Sequence, residues 1–320
     1  MEQGQNQAQM LIDKNSKGKK RDWRGRKIAS LKLSEVFQNL DYKASMVERV
    51  SSCAEALRFH KQPDGRLKLY QAYFCKNKLC QMCNWRRSMK YSYQTACIVN
   101  EAMKQVPKGR FLFLTLTVKN VPGSELNGTL TQLTKSFDRL FKRKKVQANL
   151  LGYLRSIEVT YNEDRKDYHP HIHVLLFVRP NYFSGRGANY ISQEEWADLW
   201  AKSLKVDYVP MVDIRAVKDQ GKGLHGAILE TAKYPMKPFE LSIENAQVVD
   251  DLYNGLYRKR QLGYGGLFKE IKLFKEIKKK LALDDAENGD LVHTTDDSEV
   301  SDGTKIVAIW NATKQNYFIK

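Results

Sequence analysis

The sequence is poor in several features, and each shortage narrows its class. No apolar run approaches the ~20 residues that span a bilayer, so no membrane-crossing segment is expected. The opening stretch "MEQGQNQAQMLIDKNSKGKKRDWRGRKIAS" has no apolar core of the secretory-signal kind, which makes the cytoplasm the expected compartment. Acidic residues are outnumbered: 36 Asp and Glu face 54 Lys and Arg, for a formal net charge of +18. That imbalance favours a polyanionic partner, nucleic acid ahead of an anionic membrane surface. Only five cysteines and six histidines occur in 320 residues. Cytoplasmic cysteines are expected to be reduced, so clustered ones point to metal rather than to disulfides. No internal repeat is evident.

What remains supports a packed core, since hydrophobic residues make up 42% of the chain. Residues 1–30 are polar and basic and read as a flexible basic arm. A first ordered module is expected over 31–104, with a helix over 85–103. Residues 111–118, "FLFLTLTV", read as a buried strand. Residues 129–145 follow as an amphipathic helix with a basic end. Strands at 151–161 and 168–178 flank the polar turn "NEDRKD" and predict a hairpin. A helix over 192–204, a strand over 211–217 and a helix over 224–234 close a second domain at 105–240. The last region, 241–320, reads as helical over 247–280 with an interruption at "GYGG". After it come an acidic linker at 284–302, with eight acidic residues and no Lys or Arg, and a terminal strand.

Half of the histidines fall in "YHPHIHVLLFV", at 169, 171 and 173. On a strand, alternate residues share a face, so all three project together. Pro170 lacks an N–H, which places His169 at the strand start or an edge. His171 and His173, separated by one apolar residue, form a pincer for a divalent cation. Glu158 on the preceding strand is the best third ligand, with His169 as its competitor. Mixed imidazole and carboxylate donors suit Mn²⁺, or Mg²⁺ with waters completing the shell.

Cys75, Cys80 and Cys83 form C-x4-C-x2-C, directly followed by Arg86 and Arg87. A fourth ligand would close a tetrahedral structural zinc site. Cys53 and His60 are the candidates, and Cys97 fits an apolar helical pattern. Such a module would present Arg86 and Arg87 to phosphate. Glu230 and Tyr234 lie four apart in "ETAKYPMK", one helical turn on one face. Pro235 is expected to end that helix. Lys233 and Lys237 add charge beside a phenol that, at its ordinary pKa near ~10, is a poor nucleophile. Nearby cations and a metal-polarised phosphate would improve it.

These segments carry a resemblance. "HPHIHVLLFV" is similar to the His–hydrophobic–His motif of the HUH endonucleases. More closely, the chain resembles the rolling-circle replication initiators (Rep proteins) of Gram-positive bacterial plasmids. "FLTLTVKN" at 113–120, the histidine strand and "ETAKYPMK" resemble their three motifs in order, and "CKNKLCQMCNWRR" resembles their cysteine region. The resemblance covers roughly 50–240. It implies an α/β (α+β) fold with a central antiparallel sheet at 111–118, 151–161, 170–178 and 211–217. Helices would pack mainly on one face, with the metal site on the other and the Tyr234 helix across it. It further implies Cys53 as the fourth thiolate and origin-specific nicking of DNA through a covalent 5′-phosphotyrosine at Tyr234. Glu230 would direct a water at the closing hydrolysis, and Lys233 and Lys237 would contact phosphate. The implied partners are an origin presented as single strand or hairpin, a host helicase and a DNA polymerase. Two rival readings exist. One is a histidine-triad nucleotide hydrolase or transferase with His171 as nucleophile. The other is a non-catalytic zinc-dependent DNA-binding repressor. Neither rival accounts for cysteines, charge and the Glu230–Tyr234 pair together.

Overall fold

A computed structural model describes residues 9–15, 18–184, 190–217, 222–231, 243–273 and 304–320. The chain divides into two units: Met1–Lys90 with Glu240–Ala246 and Lys279–Lys320, and Tyr91–Phe239 with Gln247–Lys278. The described residues are α+β, with two antiparallel sheets.

The first unit contains α1 (Trp23–Asn39), α2 (Ala44–Ser51), β1 (Ala56–Lys61) and β2 (Leu67–Ala72), and the beginning of α3 (Gln81–Gln105). Its sheet is completed by β8 (Lys305–Asn311) and β9 (Asn316–Ile319), in the order β2-β1-β8-β9. Two expectations change here. The described part of residues 1–30 is not a flexible arm. Leu11 N–H donates to the Tyr317 carbonyl, and Ile319 N–H donates to that of Gln9. Asp13, 1% exposed, accepts from Trp23 Nε1 at 2.7 Å and pairs with Arg21 at 2.9 Å. Asp22 caps α1 by accepting from Gly25 N–H, and the helix buries Trp23, Lys27, Ser30, Leu33 and Phe37. Nor is 241–320 one region, because its terminal hairpin joins β1 while "GYGG" belongs to the second unit.

The second unit is built on the sheet β6-β3-β5-β4-β7. Its strands are β3 (Arg110–Thr117), β4 (Leu150–Asn162), β5 (Asp167–Val178), β6 (Val212–Ala216) and β7 (Leu262–Gly266). The strand β7 replaces the expected helix interruption. Gly266 has a φ of +54°, and a Cβ there would meet the Leu151 carbonyl oxygen at 2.4 Å. Gly265 lies under the Tyr153 ring, leaving no room for a side chain. Glycines are therefore what this strand needs to lie against β4.

Helices cover both faces of the sheet, which corrects the expectation of one helical face. One face meets α4 (Gly123–Phe141), whose Leu126, Leu130, Leu133 and Phe137 follow a helical stripe. Phe137 packs edge-on against Tyr153. Beside α4 runs α6 (Gln193–Leu204), capped by Ser192 and ended by Lys205 in the left-handed region. The opposite face, carrying Leu154, Leu175 and Phe177, is packed by three helices. Ile98 and Val99 come from α3, Leu224 and Ile228 from α7 (Lys222–Thr231), and Phe268 and Ile271 from α9 (Leu267–Leu273). Since side chains alternate, His171 and His173 share this second face, beyond its apolar patch.

Candidate active site and metal centres

The β4–β5 register sets the first centre. Glu158 pairs with His171 and Ser156 with His173, so the carboxylate stands beside both imidazoles. Pro170 lies within β5 rather than at its start, at a point where β3 has already ended. No N–H is needed there for a β3 partner. Glu158 Oε2 is 3.1 Å from His173 Nε2 and 3.6 Å from His171 Nε2. The three form a group able to hold one ion. His169 is not in it, and its ring centroid is 5.2 Å from that of His171.

The other ring nitrogens are also held. His171 Nδ1 lies 3.1 Å from the His169 carbonyl, which only accepts, so Nδ1 is the donor in that contact and Nε2 faces Glu158. His173 Nδ1 lies 3.1 Å from Thr115 Oγ1, and Phe113 stacks on the same imidazole with centroids 5.3 Å apart. Both side chains come from β3, directly or diagonally opposite His173. Such contacts fix ring orientation and donor identity at metal sites. Burial raises the Glu158 pKa, but hydrogen bonding and charge from His171 and His173 outweigh it. The carboxyl is held well below the usual range. The set therefore offers one anionic oxygen and two imidazole nitrogens.

The second centre gathers Cys53, Cys75, Cys80 and Cys83, all buried. Cys53 follows α2, Cys75 lies in the irregular stretch after β2, Cys80 precedes α3 and Cys83 lies in its first turn. Sulfur separations are 3.7 Å for Cys53–Cys83, 3.5 Å for Cys75–Cys83 and 3.7 Å for Cys53–Cys80. Zinc–sulfur bonds of ~2.3 Å in a tetrahedron imply sulfurs about 3.8 Å apart, so the donor set fits that ion. His60 instead lies against Tyr70, with ring centroids 4.2 Å apart and the rings tilted by 40°. Arg87 donates to the carbonyls of Lys76 and Asn77 and to Asn84 Oδ1, tying down the cysteine loop. Arg86 is 2% exposed, near the rings of Trp23 and Trp85. Two further residues escaped sequence reasoning. Lys27 Nζ donates to the carbonyls of Ser51 and Cys53, and Ser30 Oγ lies 3.1 Å from Cys80 Sγ. Burial lowers the Lys27 pKa, while charge on Cys53, Glu55 and Cys80 pushes it back up. A buried ammonium there offsets thiolate charge.

The third expected element is only partly in view. Helix α7 lies on the histidine face and includes the backbone of Glu230. Tyr234, Lys233 and Lys237 lie outside the described residues, as does the acidic stretch 284–302.

Comparison with known proteins decides the family. A family model described as "Replication protein" matches residues 66–318. A "Protein rep" of Streptococcus pneumoniae serotype 2 is 68% identical, covering 100% of this chain and 98% of that protein. A "Protein rep" of Lactiplantibacillus plantarum is 46% identical over 98% of this chain and 99% of its own length. One from Bacillus amyloliquefaciens is 41% identical, with 100% of both chains covered. The chain belongs to the Rep replication-protein family. No solved structure matches it. Within this Rep chain the matched span includes Glu158, His171, His173 and three of the four cysteines. It begins after Cys53 and after all of α1. No described helix is long and apolar enough to cross a membrane.

Proposed function

We propose that this Rep-family chain initiates rolling-circle replication of a plasmid by nicking its origin. On this reading the five-stranded sheet is an HUH-endonuclease sheet. The observation that carries the reading is the convergence of Glu158, His171 and His173 on the face that α7 also covers. A divalent cation, Mn²⁺ or Mg²⁺, would supply Lewis acidity toward a phosphoryl oxygen. Glu158 Oε2 and Nε2 of His171 and His173 would hold it, with Thr115 and the His169 carbonyl fixing the rings. The Tyr234 phenol oxygen attacks phosphorus and loses its proton, and the bond from phosphorus to the 3′ oxygen breaks. The 5′ side stays on Tyr234, and the 3′ oxygen takes up a proton to give a priming hydroxyl. Glu230, as a general base, takes a proton from the water that ends the cycle. Lys233 and Lys237 would contact phosphate. The four cysteines would hold a structural Zn²⁺ that keeps α3 and the β1–β2 hairpin in register.

The test incubates the full chain with a labelled single-stranded origin oligonucleotide and Mn²⁺, then denatures. A covalent adduct is expected, absent in Tyr234→Phe and reduced at least a hundredfold in Glu158→Ala. Glu230→Ala should form the adduct but fail to release it by hydrolysis. An adduct that persists in Tyr234→Phe overturns the proposal.

A further inference from the structure

The histidine face of the second unit's sheet carries side chains that the nicking chemistry does not use. Antiparallel pairing lines up Glu158, His171 and Thr117 across β4, β5 and β3. The row continues to the start of β6, because the Thr117 N–H and Oγ1 both donate to the Met211 carbonyl, at 3.3 and 2.8 Å. Thr115 pairs with both His173 and Asp213, so alternation along the chain turns Met211 to the face of His173. Met211 is 74% exposed and Val209 is 76% exposed, the two highest values among the described large hydrophobic residues. Their segment is anchored all the same. Pro210 is buried between them, Thr117 holds the Met211 carbonyl, and the Lys119 N–H donates to Tyr208 Oη at 3.2 Å. The Lys119 ammonium lies 4.3 Å from the centroid of the Tyr208 ring. A fixed loop thus holds two apolar side chains in water, with Met211 about 10 Å, or two strand spacings, from His171.

Two side chains are far too small a patch for a second protein chain, which needs about 800 Å² per partner. They suit a nucleotide base. Apolar side chains, methionine among them, wedge against bases, and a thioether sulfur is favourable beside an aromatic ring. Local charge leaves room for a nucleotide backbone. Asp213 is paired with Arg215 at 2.9 Å, Lys205 and Asp207 of the same loop cancel in formal charge, and Lys119 is exposed. We infer that Val209 and Met211 seat a base of single-stranded DNA, next to a phosphate held at Glu158, His171 and His173. DNA as the substrate rests on the nickase reading, whereas the anchored apolar pair beside the ligand row does not.

The probe is a fluorescein-labelled oligothymidylate, followed by anisotropy with the full chain in chelator-free buffer without added divalent ion. Val209→Ser with Met211→Ser should weaken binding about tenfold, at the low end of what removing a side chain stacked on a base costs. The slope of log K against log salt should stay that of the parent, because no phosphate contact is lost. A strand of the same length built of abasic sites should bind parent and double variant alike. Val209→Ile with Met211→Leu should bind oligothymidylate like the parent. Parent-like affinity for oligothymidylate in the double variant overturns the inference, and so does an equal loss on the abasic strand. A change of oligomeric state on sedimentation, with DNA binding intact, also overturns it and assigns the pair to contact between copies. If the double variant melts early, Val209→Ser alone and Met211→Ser alone carry the same comparison of the two strands. An adduct that persists in Tyr234→Phe would remove the nickase reading while leaving the anisotropy result to judge the base seat.

Discussion

The two ligand groups of this chain are closed to different degrees. The cysteines are at most 2% exposed, and four sulfurs at tetrahedral spacing leave no coordination position for anything else. Glu158 and His171 are 6% and 7% exposed, His173 is half-buried, and among the described residues three ligands meet. An ion held by three side chains keeps positions for outside oxygens. The surroundings differ in the same sense. Around the cysteines, Lys27 and Arg87 bind backbone carbonyls and so fix the loops. Around the histidines, Thr115 and the His169 carbonyl bind ring nitrogens and so fix donor atoms. One group is organised to hold a fold, the other to aim ligands.

The contrast breaks most visibly if the closed site proves dispensable. In small zinc modules ~10–16 kcal/mol of apparent metal-binding free energy goes into folding. Cys80→Ser should therefore abolish the stable fold of the first unit, with loss of one bound zinc per chain. Thermal unfolding together with metal analysis checks this, and prolonged chelation should reproduce it in the parent chain. A parent-like melting curve in Cys80→Ser would mean that the four sulfurs are merely packed core.

A smaller effect sharpens the other side. Thr115→Val keeps the shape of the side chain but removes the oxygen next to His173 Nδ1. Disturbing such outer contacts typically weakens metal binding ~10–100-fold. Mn²⁺ titration by calorimetry should show about a tenfold loss in Thr115→Val, with melting nearly unchanged, and recovery in Thr115→Ser. If valine binds Mn²⁺ as tightly as threonine, the hydroxyl does not orient the ring.

The legibility of these features in the sequence followed their physics. Strands β3 to β6 were readable because β-branched and aromatic residues run between clear turn signals. The cysteine spacing and the alternation of His171 and His173 were readable for the same local reason. Glu158 followed from the hairpin, since its turn brings β4 beside β5. Helix α1 was hidden because its buried stripe contains Lys27, Ser30 and Ser34, which are buried through carbonyl and thiol contacts rather than apolarity. The N-terminal segment was hidden because a carboxylate, Asp13, anchors it. Helices on both faces were missed because a central strand apolar on both faces was read as having only one covered. Thr115 becomes legible only once β3 is known to neighbour β5, a fact of sheet order that no local pattern contains.

The smallest effect concerns β7, where a glycine-rich strand looked like a helix break. Its Tyr264 faces Leu154 in register, and its hydroxyl lies 3.2 Å from Thr95 Oγ1. Burial pushes the Tyr264 pKa up to about 12. An unfolded tyrosine releases its proton near pH ~10. Between those values the folded chain binds more protons than the unfolded one, so stability must fall as pH rises. It is full below pH ~10 and declines by up to roughly 3 kcal/mol by pH ~12 from this group. Tyr264→Phe should cost about 1 kcal/mol at neutral pH through the lost hydrogen bond. It should also flatten the alkaline decline, so that parent and variant curves cross. Urea unfolding at pH 8, 10 and 11 checks both. Parallel curves would place Tyr264 in water and remove β7 from its position beside β4.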